Sequence, residues 1–587
     1  LEIACNETFY RIPANSFGFS VGLLATVLLS LYLLGQRHGG VMALVPVVCC
    51  ILGIAEHFVI TFKGEAILPS DILALGTAME VSEGYEFTFT AGIVTSLALL
   101  EISLGLLSLI RPRKLRTPTH VFPAIAANLC AFLLVTVVGL SGFSSIDLEQ
   151  ALNLDLTVGS PSPRMRLRVY RTSFTEIGQR SCPLVEARTT IRPTEAQSIE
   201  QELAATYDST YGSSEQRAAA VAQFNEIKPT IVAVMNESFS DLSCFEQLQA
   251  AGYTGPAFYN SLPDTLVRGT MLASVAGGGT ANSEFEFLTG ATTAFVGLGK
   301  IPYQLYQMNG VNSLAKDLKE LGYTATAMHP QNPVNYHRDK IYQQLGFGDF
   351  LSIGDFEGAS YYHAGVCDYV TYDKILDLLR TDEAPQFIFD VTMQNHGGYD
   401  YGTVPAEELT NYWVEGASEG ANSALNTYLT CINASDRDLE YFINELRNIG
   451  RPVVLVFFGD HQPSAATTLN DELYPQEDTA SHAFRIYQST YLVWANYEIA
   501  GNTELNVYDT VGANEIAAIT LNKIGAPLTD YQKALLATRS DVPTINVAGY
   551  LGADGLRYDL ESEDSPYAST IDKLQRMQYL EFASKVQ

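Results

Sequence analysis

Residues 453–462 read VVLVFFGDHQ: six apolar side chains run without interruption into Gly459, Asp460 and His461. A short apolar run stopped by glycine predicts a strand buried on both faces of a parallel sheet. In open α/β sheets, chemistry gathers just beyond the carboxyl ends of the strands. An Asp-His pair there offers one carboxylate and one imidazole to a divalent metal, although a lone pair of this kind beside a strand is more often structural. Three further runs end alike. Thr230–Met235 leads into Asn236, Glu237 and Ser238, Thr324–Met328 into His329, and Gln386–Met393 into Gln394, Asn395 and His396. Tyr491–Ala495 predicts a fifth strand. Between the strands, Leu314, Leu318 and Leu321, and then Ile375, Leu378 and Leu379, recur at helical spacing. Alternating strands and helices predict a largely parallel central sheet with helices on both faces. Four polar clusters at four strand ends then face one crevice.

A fifth piece is the loop Ala276–Phe285, AGGGTANSEF. Its glycines allow backbone to approach a ligand, and their N–H groups can cradle a phosphate. Thr280 follows them directly, placed to serve as a metal-activated nucleophile. Glu237, Asp460 and His461 supply two oxygens and a nitrogen, and the Thr280 oxygen makes a fourth ligand. Mn²⁺, Mg²⁺ and Zn²⁺ all tolerate such a set. A metal there would lower the pKa of the Thr280 hydroxyl and offset charge during an in-line displacement at phosphorus. Arg338 and His396 are candidates for the remaining phosphoryl oxygens, arginine through its planar fork. Glu284 is read as support for the Thr280 loop, Glu286 and Asp241 as structural, and His337 as a solvated neighbour. Thr280 does not lie in a C/S-x-P-x-R motif, which argues against a formylglycine sulfatase.

Before residue 142 the composition changes completely. Phe17–Leu34, Val41–Ile60, Ala91–Ile110 and Val121–Leu140 are apolar runs of about the 20 residues that a bilayer requires. Arg111, Arg113, Lys114 and Arg116 place the loop between the last two runs on the cytoplasmic side. Arg37 and His38 agree, and the acidic loop from Thr61 to Thr90 belongs outside. The expected organisation is a transmembrane domain (1–142), a linker with a helix (143–228), an extracellular catalytic domain (229–545) and a C-terminal extension (546–587). With Leu1 outside, a fifth helix or a signal segment is expected upstream. In the linker, Arg164, Arg166, Arg168 and Arg171 suit either anionic lipid headgroups or a solvated connector, and Glu195–Tyr207 predicts a helix.

The formal net charge is −30, from 65 acidic and 35 basic residues, which excludes the basic face that nucleic acid would require. None of the eight cysteines forms a C-x-x-C pair, so a zinc ribbon or thioredoxin-like site is not expected.

These residues resemble the lipoteichoic acid synthase family of membrane phosphoglycerol transferases, in the alkaline phosphatase/sulfatase superfamily. The resemblance rests on Asn236–Asp241, on Gly279-Thr280 with Glu284-Phe285, and on His329, Tyr336, Arg338 and Asp339. Asn395-His396, Gly459-Asp460-His461 and the loop Phe62–Asp71 complete it. It implies a polytopic helical membrane domain plus an extracellular α/β sulfatase-like domain. Glu237, Thr280, Asp460 and His461 would bind one divalent metal, Mn²⁺ ahead of Mg²⁺ or Zn²⁺. Thr280 would carry a glycerophosphoryl intermediate, while His329, Tyr336, Arg338 and His396 line the phosphoglycerol pocket. The implied donor is phosphatidylglycerol, releasing diacylglycerol; the acceptor is a lipid-anchored glycerolphosphate chain or a surface glycan. Alternatives are transfer of another headgroup, such as phosphoethanolamine, or an inactive membrane sensor. Tyr336 and Gln331 depart from the tryptophan and aspartate of the best-known members.

Overall fold

The computed structural model describes residues 14–63, 91–111, 118–144, 191–297, 299–399, 402–562 and 564–586. The acidic loop beyond Lys63, the basic loop 112–117 and the four linker arginines lie outside the described residues. The chain divides into two compact units, one holding the N-terminal helices and the other holding Arg168–Gln587.

In the first unit, helices α1 (Ala14–Leu34), α2 (Leu44–Lys63), α3 (Ala91–Ser108) and α4 (Pro118–Ser144) fall on the four apolar runs. Among the described residues one stretch, Val121–Val138 in α4, is long and apolar enough to cross a bilayer, with a mean hydropathy of 2.3. The other apolar stretches are shorter: Ser20–Leu34, Gly39–Ala55 and Gly92–Ser108. Polar contacts join α1 and its end to α4: Arg37 Nε donates to Asn128 Oδ1 at 3.1 Å, and Thr136 Oγ1 to Ser30 Oγ at 3.3 Å. Ile51, Leu106, Phe122 and Leu134 are among the large apolar side chains left outermost.

The second unit is built on an eight-stranded sheet. Its strands are β1 (Thr230–Asn236), β2 (Thr265–Leu272), β3 (Thr324–Met328), β4 (Asp349–Leu351), β5 (Gln386–Val391), β6 (Val453–Gly459), β7 (Gln488–Ala495) and β8 (Val507–Gly512). Their order is β8-β2-β7-β6-β1-β5-β3-β4. The pairs β1–β5, β1–β6, β3–β5, β3–β4 and β2–β8 are parallel. Strand β7 alone is reversed, antiparallel to β6 on one side and to β2 on the other. An apolar run such as 491–495 carries no mark of its direction, so the fifth predicted strand presents its start, not its end, to the site edge.

The continuous apolar runs are explained by burial on both faces. Ile231, Ala233, Met235, Val454, Val456 and Phe458 join one core cluster, whereas Val232, Val234, Val453, Leu455 and Phe457 join the other. One face is covered by α5 (Thr280–Thr289) and by the C-terminal helix Ala568–Gln578. The other is covered by α6 (Asp368–Thr381) and the 29-residue α7 (Glu419–Arg447). The predicted linker helix is observed as Pro193–Tyr207, but it is not a free spacer: Ala196, Glu200, Ala204 and Tyr207 are buried, and Tyr207 OH donates to Asn522 Oδ1 at 2.5 Å. The C-terminal segment likewise contributes Ile571, Leu574, Met577 and Phe582 to the core.

Candidate active site

Register delivers the side chains. Asn236 pairs with Gly459, so Glu237 and Asp460 step off neighbouring strands together, and Met235 pairs with Val391 just before the Thr392–His396 segment. Gly459 itself is a close approach: a Cβ there would lie 1.8 Å from Phe239 O. Glu237, Asp460 and His461 are all buried, and one ligand atom from each lies within 4.8 Å of the others.

Each of the three is held in a ligand's orientation. Asp460 Oδ1 accepts the N–H groups of Ser238 (2.7 Å) and His461 (2.9 Å). That leaves Asp460 Oδ2 without a hydrogen bond, 3.0 Å from His461 Nε2, which is equally unsatisfied. His461 Nδ1 lies 2.9 Å from Gln462 O; a proton on Nδ1 donates there and leaves the Nε2 lone pair available. Ser238 Oγ donates to Glu237 Oε1 at 2.9 Å, and Glu237 N donates to Thr392 Oγ1 at 3.1 Å. Burial, followed by the charge of Asp460, pushes the Glu237 carboxyl well above the usual carboxylate range. A cation between these groups offsets both causes, and two orphaned buried atoms 3.0 Å apart are the donor pair it would use. The donor set fits a divalent metal.

Thr280 opens α5 and is buried. Gly277, Gly278 and Gly279 all take positive φ (67°, 153° and 86°), a run that L side chains resist. Two bonds tie this loop to the metal-binding side. Gly277 N donates to Gln462 O at 2.8 Å, and Ser283 Oγ donates to Asp460 O at 2.7 Å. Asn282 N donates to Gly279 O at 2.8 Å, and the N–H groups at the start of the helix suit a phosphoryl group.

His329, Arg338, Tyr336 and His396 gather beside these groups, since the Arg338 charge bears on Glu237, His329 and His396 alike. His329 Nδ1 lies 2.9 Å from Val391 O, and burial, then Arg338, hold its pKa well below the ordinary value. His396 is lowered to about 4, by burial, then by His461 and His363. Both rings are neutral near pH 7. The Tyr336 ring centroid is 5.1 Å from the Arg338 guanidinium carbon, and Tyr336 and His337 both hold left-handed backbone (φ 54° and 59°). Gln331 Oε1 accepts Asn332 N at 2.9 Å. His337 is exposed, as expected.

Further partners hold these groups. Glu284 grips Arg338, with Nε donating to Oε1 (3.0 Å) and Oε2 (3.3 Å) and Nη2 donating to Oε1. Asn395 Nδ2 donates to Glu237 O at 3.1 Å and to Ser435 Oγ at 2.8 Å. Asp368 closes that network through Asn236 Nδ2 (2.7 Å) and Ser435 Oγ (2.5 Å). From α7, Tyr428 OH donates to Ser238 O at 2.9 Å. Glu286 is structural: its Oε1 takes Ser274 Oγ, Thr292 Oγ1 and Thr293 N. Asp241 is too, accepting Ser243 N and Asn260 Nδ2. The signal for Asn236 and Asn395 is their position at strand ends; Asp368, Tyr428 and Ser435 lie on helices whose spacing does not single them out.

Residues 229–514 match the Sulfatase family. A stretch of 254 residues, 43% of this chain, is 30% identical to a putative cyclic beta-1,2-glucan modification protein of Rhizobium meliloti and covers 38% of it. A stretch of 246 residues, 41% of the chain, is 26% identical to the capsular polysaccharide biosynthesis protein RkpI of the same organism, covering 42% of that protein. The chain thus spans less than half the length of these curated relatives. The fold is similar to that of the Streptococcus pyogenes phosphoglycerol transferase GacH, solved in complex with sn-glycerol-1-phosphate. The TM-score is 0.50 at 23% identity, over 67% of this chain and 94% of that one.

Proposed function

From a sulfatase-type domain of the alkaline phosphatase superfamily over residues 229–514, we propose a membrane-anchored phosphoglycerol transferase. It moves glycerol phosphate from phosphatidylglycerol to a hydroxyl of a cell-surface acceptor and releases diacylglycerol. The observation that carries this reading is the orphaned Asp460–His461 pair beside Glu237, bonded through Ser283 to the helix that Thr280 opens.

Glu237, Thr280, Asp460 and His461 would hold one divalent metal, Mn²⁺ by preference with Mg²⁺ or Zn²⁺ as alternatives, which when bound would lower the pKa of the Thr280 hydroxyl and offset phosphoryl charge. The Thr280 oxygen bonds to phosphorus as the bond to the diacylglycerol oxygen breaks. The hydroxyl proton leaves Thr280, and diacylglycerol departs with a proton taken up on its oxygen. An acceptor hydroxyl then attacks the same phosphorus, loses its proton and frees the Thr280 oxygen. Arg338, His329, His396 and Tyr336 line the headgroup. The names of the two curated relatives favour a glycan acceptor over a glycerolphosphate chain. Helices α1–α4, with their outermost apolar side chains, anchor the chain beside its lipid donor, and the catalytic domain lies outside the cell.

A second reading, transfer of phosphoethanolamine, draws on Gln331, whose carboxamide oxygen is spent on Asn332 N and supplies no carboxylate for glycerol. The test is full-length protein in liposomes with Mn²⁺ and labelled phosphatidylglycerol, beside Thr280→Ala. Diacylglycerol release by the wild type alone supports the proposal. Release from phosphatidylethanolamine instead moves the headgroup, and no turnover of any lipid favours a sensor.

A further inference from the structure

We infer that Asp368 is a positioning residue for the metal ligand Glu237: acting through Asn236 and Asn395, its carboxyl group sets which way two buried amides point and so holds the Glu237 peptide. This rests on the metal-dependent transfer proposed above.

Asp368 opens α6 and meets Asn236 from the end of β1, Gln394 and Asn395 from the segment after β5, and Ser435 from α7. None of the five is more than 1% exposed, so water offers no alternative partner. Their polar atoms must satisfy one another. Asp368 Oδ2 accepts Asn236 Nδ2 at 2.7 Å and Ser435 Oγ at 2.5 Å. The serine has one hydrogen to give, and Asp368 is the nearer acceptor, since Asn395 Oδ1 lies 3.2 Å away. Ser435 Oγ is then left to accept Asn395 Nδ2 at 2.8 Å and Gln394 Nε2 at 3.0 Å.

Amides and hydroxyls both donate and accept, so a ring built of them alone can reverse. Among these five side chains, Asp368 Oδ2 is the atom that can only accept. A proton on Oδ1, which has no partner, would leave that unchanged. Asn236 must therefore turn Nδ2 to Asp368 and Oδ1 to Asn395, whose Nδ2 lies 3.1 Å away. That same Nδ2 donates to Glu237 O at 3.1 Å. Without the acceptor, Asn236 is free to reverse and to set its own Nδ2 against that of Asn395, prising the amide from Glu237 O. The N–H of Glu237 is held separately by Thr392 Oγ1 at 3.1 Å. Both backbone groups of a metal ligand are thus held by the stretch 392–395, which runs directly into His396.

The experiment is a Mn²⁺ titration of the full-length protein well below its melting temperature, with free Mn²⁺ counted by its electron paramagnetic resonance signal. Asp368→Ala removes the acceptor and should weaken Mn²⁺ binding about tenfold. Asp368→Asn can keep an oxygen facing Asn236 and Ser435, and should recover affinity to within about threefold of the wild type. A merely structural role lowers the melting temperature of Asp368→Ala and leaves the Mn²⁺ affinity of the folded protein alone; that result overturns the inference. Asp368→Asn as weak as Asp368→Ala also overturns it, because charge and not direction would then be acting. Should Asp368→Ala fail to fold, Ser435→Ala breaks the relay between Asp368 and Asn395 and should weaken Mn²⁺ by at least about threefold. Unchanged affinity in that variant counts against the inference equally. A wild type that binds no Mn²⁺ sinks the metal reading and this inference together, whereas wild-type affinity retained in Asp368→Ala sinks this inference alone.

Discussion

Replacing Gly459 by alanine tests how the end of β6 aims Asp460 and His461. The new Cβ would stand 1.8 Å from Phe239 O and 2.7 Å from Ser489 Oγ, where ordinary contact begins at 3.4 Å. The shortfall of about 1.6 Å falls on backbone, which cannot swing aside as a side-chain end can. Both chains at this point carry ligands, since Phe239 follows Glu237 by two residues and Gly459 precedes Asp460. Overpacking of this kind costs about 1–3 kcal/mol, and a misplacement of about 1 Å in a reacting constellation costs up to roughly 10²-fold in rate. The assay pairs diacylglycerol release with the thermal stabilisation produced by Mn²⁺. Both should fall together in Gly459→Ala, with the melting temperature down by several degrees. Gly354→Ala, at a position with no atom within 4 Å of the added Cβ, is the control and should be silent. A Gly459→Ala protein within threefold of wild-type turnover and with normal metal stabilisation would refute the reasoning.

Ser283→Ala removes the buried bond to Asp460 O and should cost about 1–2 kcal/mol. Turnover should fall further than that loss alone explains, as read by kcat against a chemical denaturation curve. Chelation should lower the melting temperature of the wild type and Mn²⁺ should restore it, whereas Glu237→Gln should show a much smaller response in the same scan. Asp390 is buried in β5, and burial raises its pKa from 3.8 to about 8. A raised folded pKa means that its contribution is complete below about pH 4 and is lost as pH climbs to about 8. The wild type should therefore lose stability over that window relative to Asp390→Asn, by an amount of order several kcal/mol, measured by denaturation at each pH. Tyr342→Phe deletes one donor to Glu284 without changing charge, and should raise KM for the lipid while sparing the fold.

The strand ends were legible because a buried strand must be apolar throughout, so the first polar residues mark where it leaves the core. That logic marks Glu237, His329, His396 and Asp460 from the sequence alone. It could not assign the direction of β7, because hydrogen-bonding polarity leaves no trace in side-chain order. Nor could it pair Glu284 with Arg338, 54 residues apart, since a carboxylate four positions after a nucleophile looks the same whether it holds a loop or a guanidinium. Asp368 and Ser435 were hidden for a related reason: each lies on a helix that mixes buried polar with buried apolar residues, so helical spacing alone does not single it out.

Strand β7 separates the strand that leads to Thr280 from the strand that leads to Asp460. Leu272 at the end of β2 pairs with Gln488, and Phe458 near the end of β6 pairs with Tyr491. The spacing between nucleophile and metal ligands is thus counted out in peptide units along a strand laced on both sides. Side-chain changes along β7 can alter packing yet leave that count intact. A proline that cuts either ladder, or a one-residue slip, would move the two halves of the chemistry apart without touching a single reacting group. The amides of β7 should accordingly be among the last to exchange with solvent, because releasing them dismantles the ruler along with the fold.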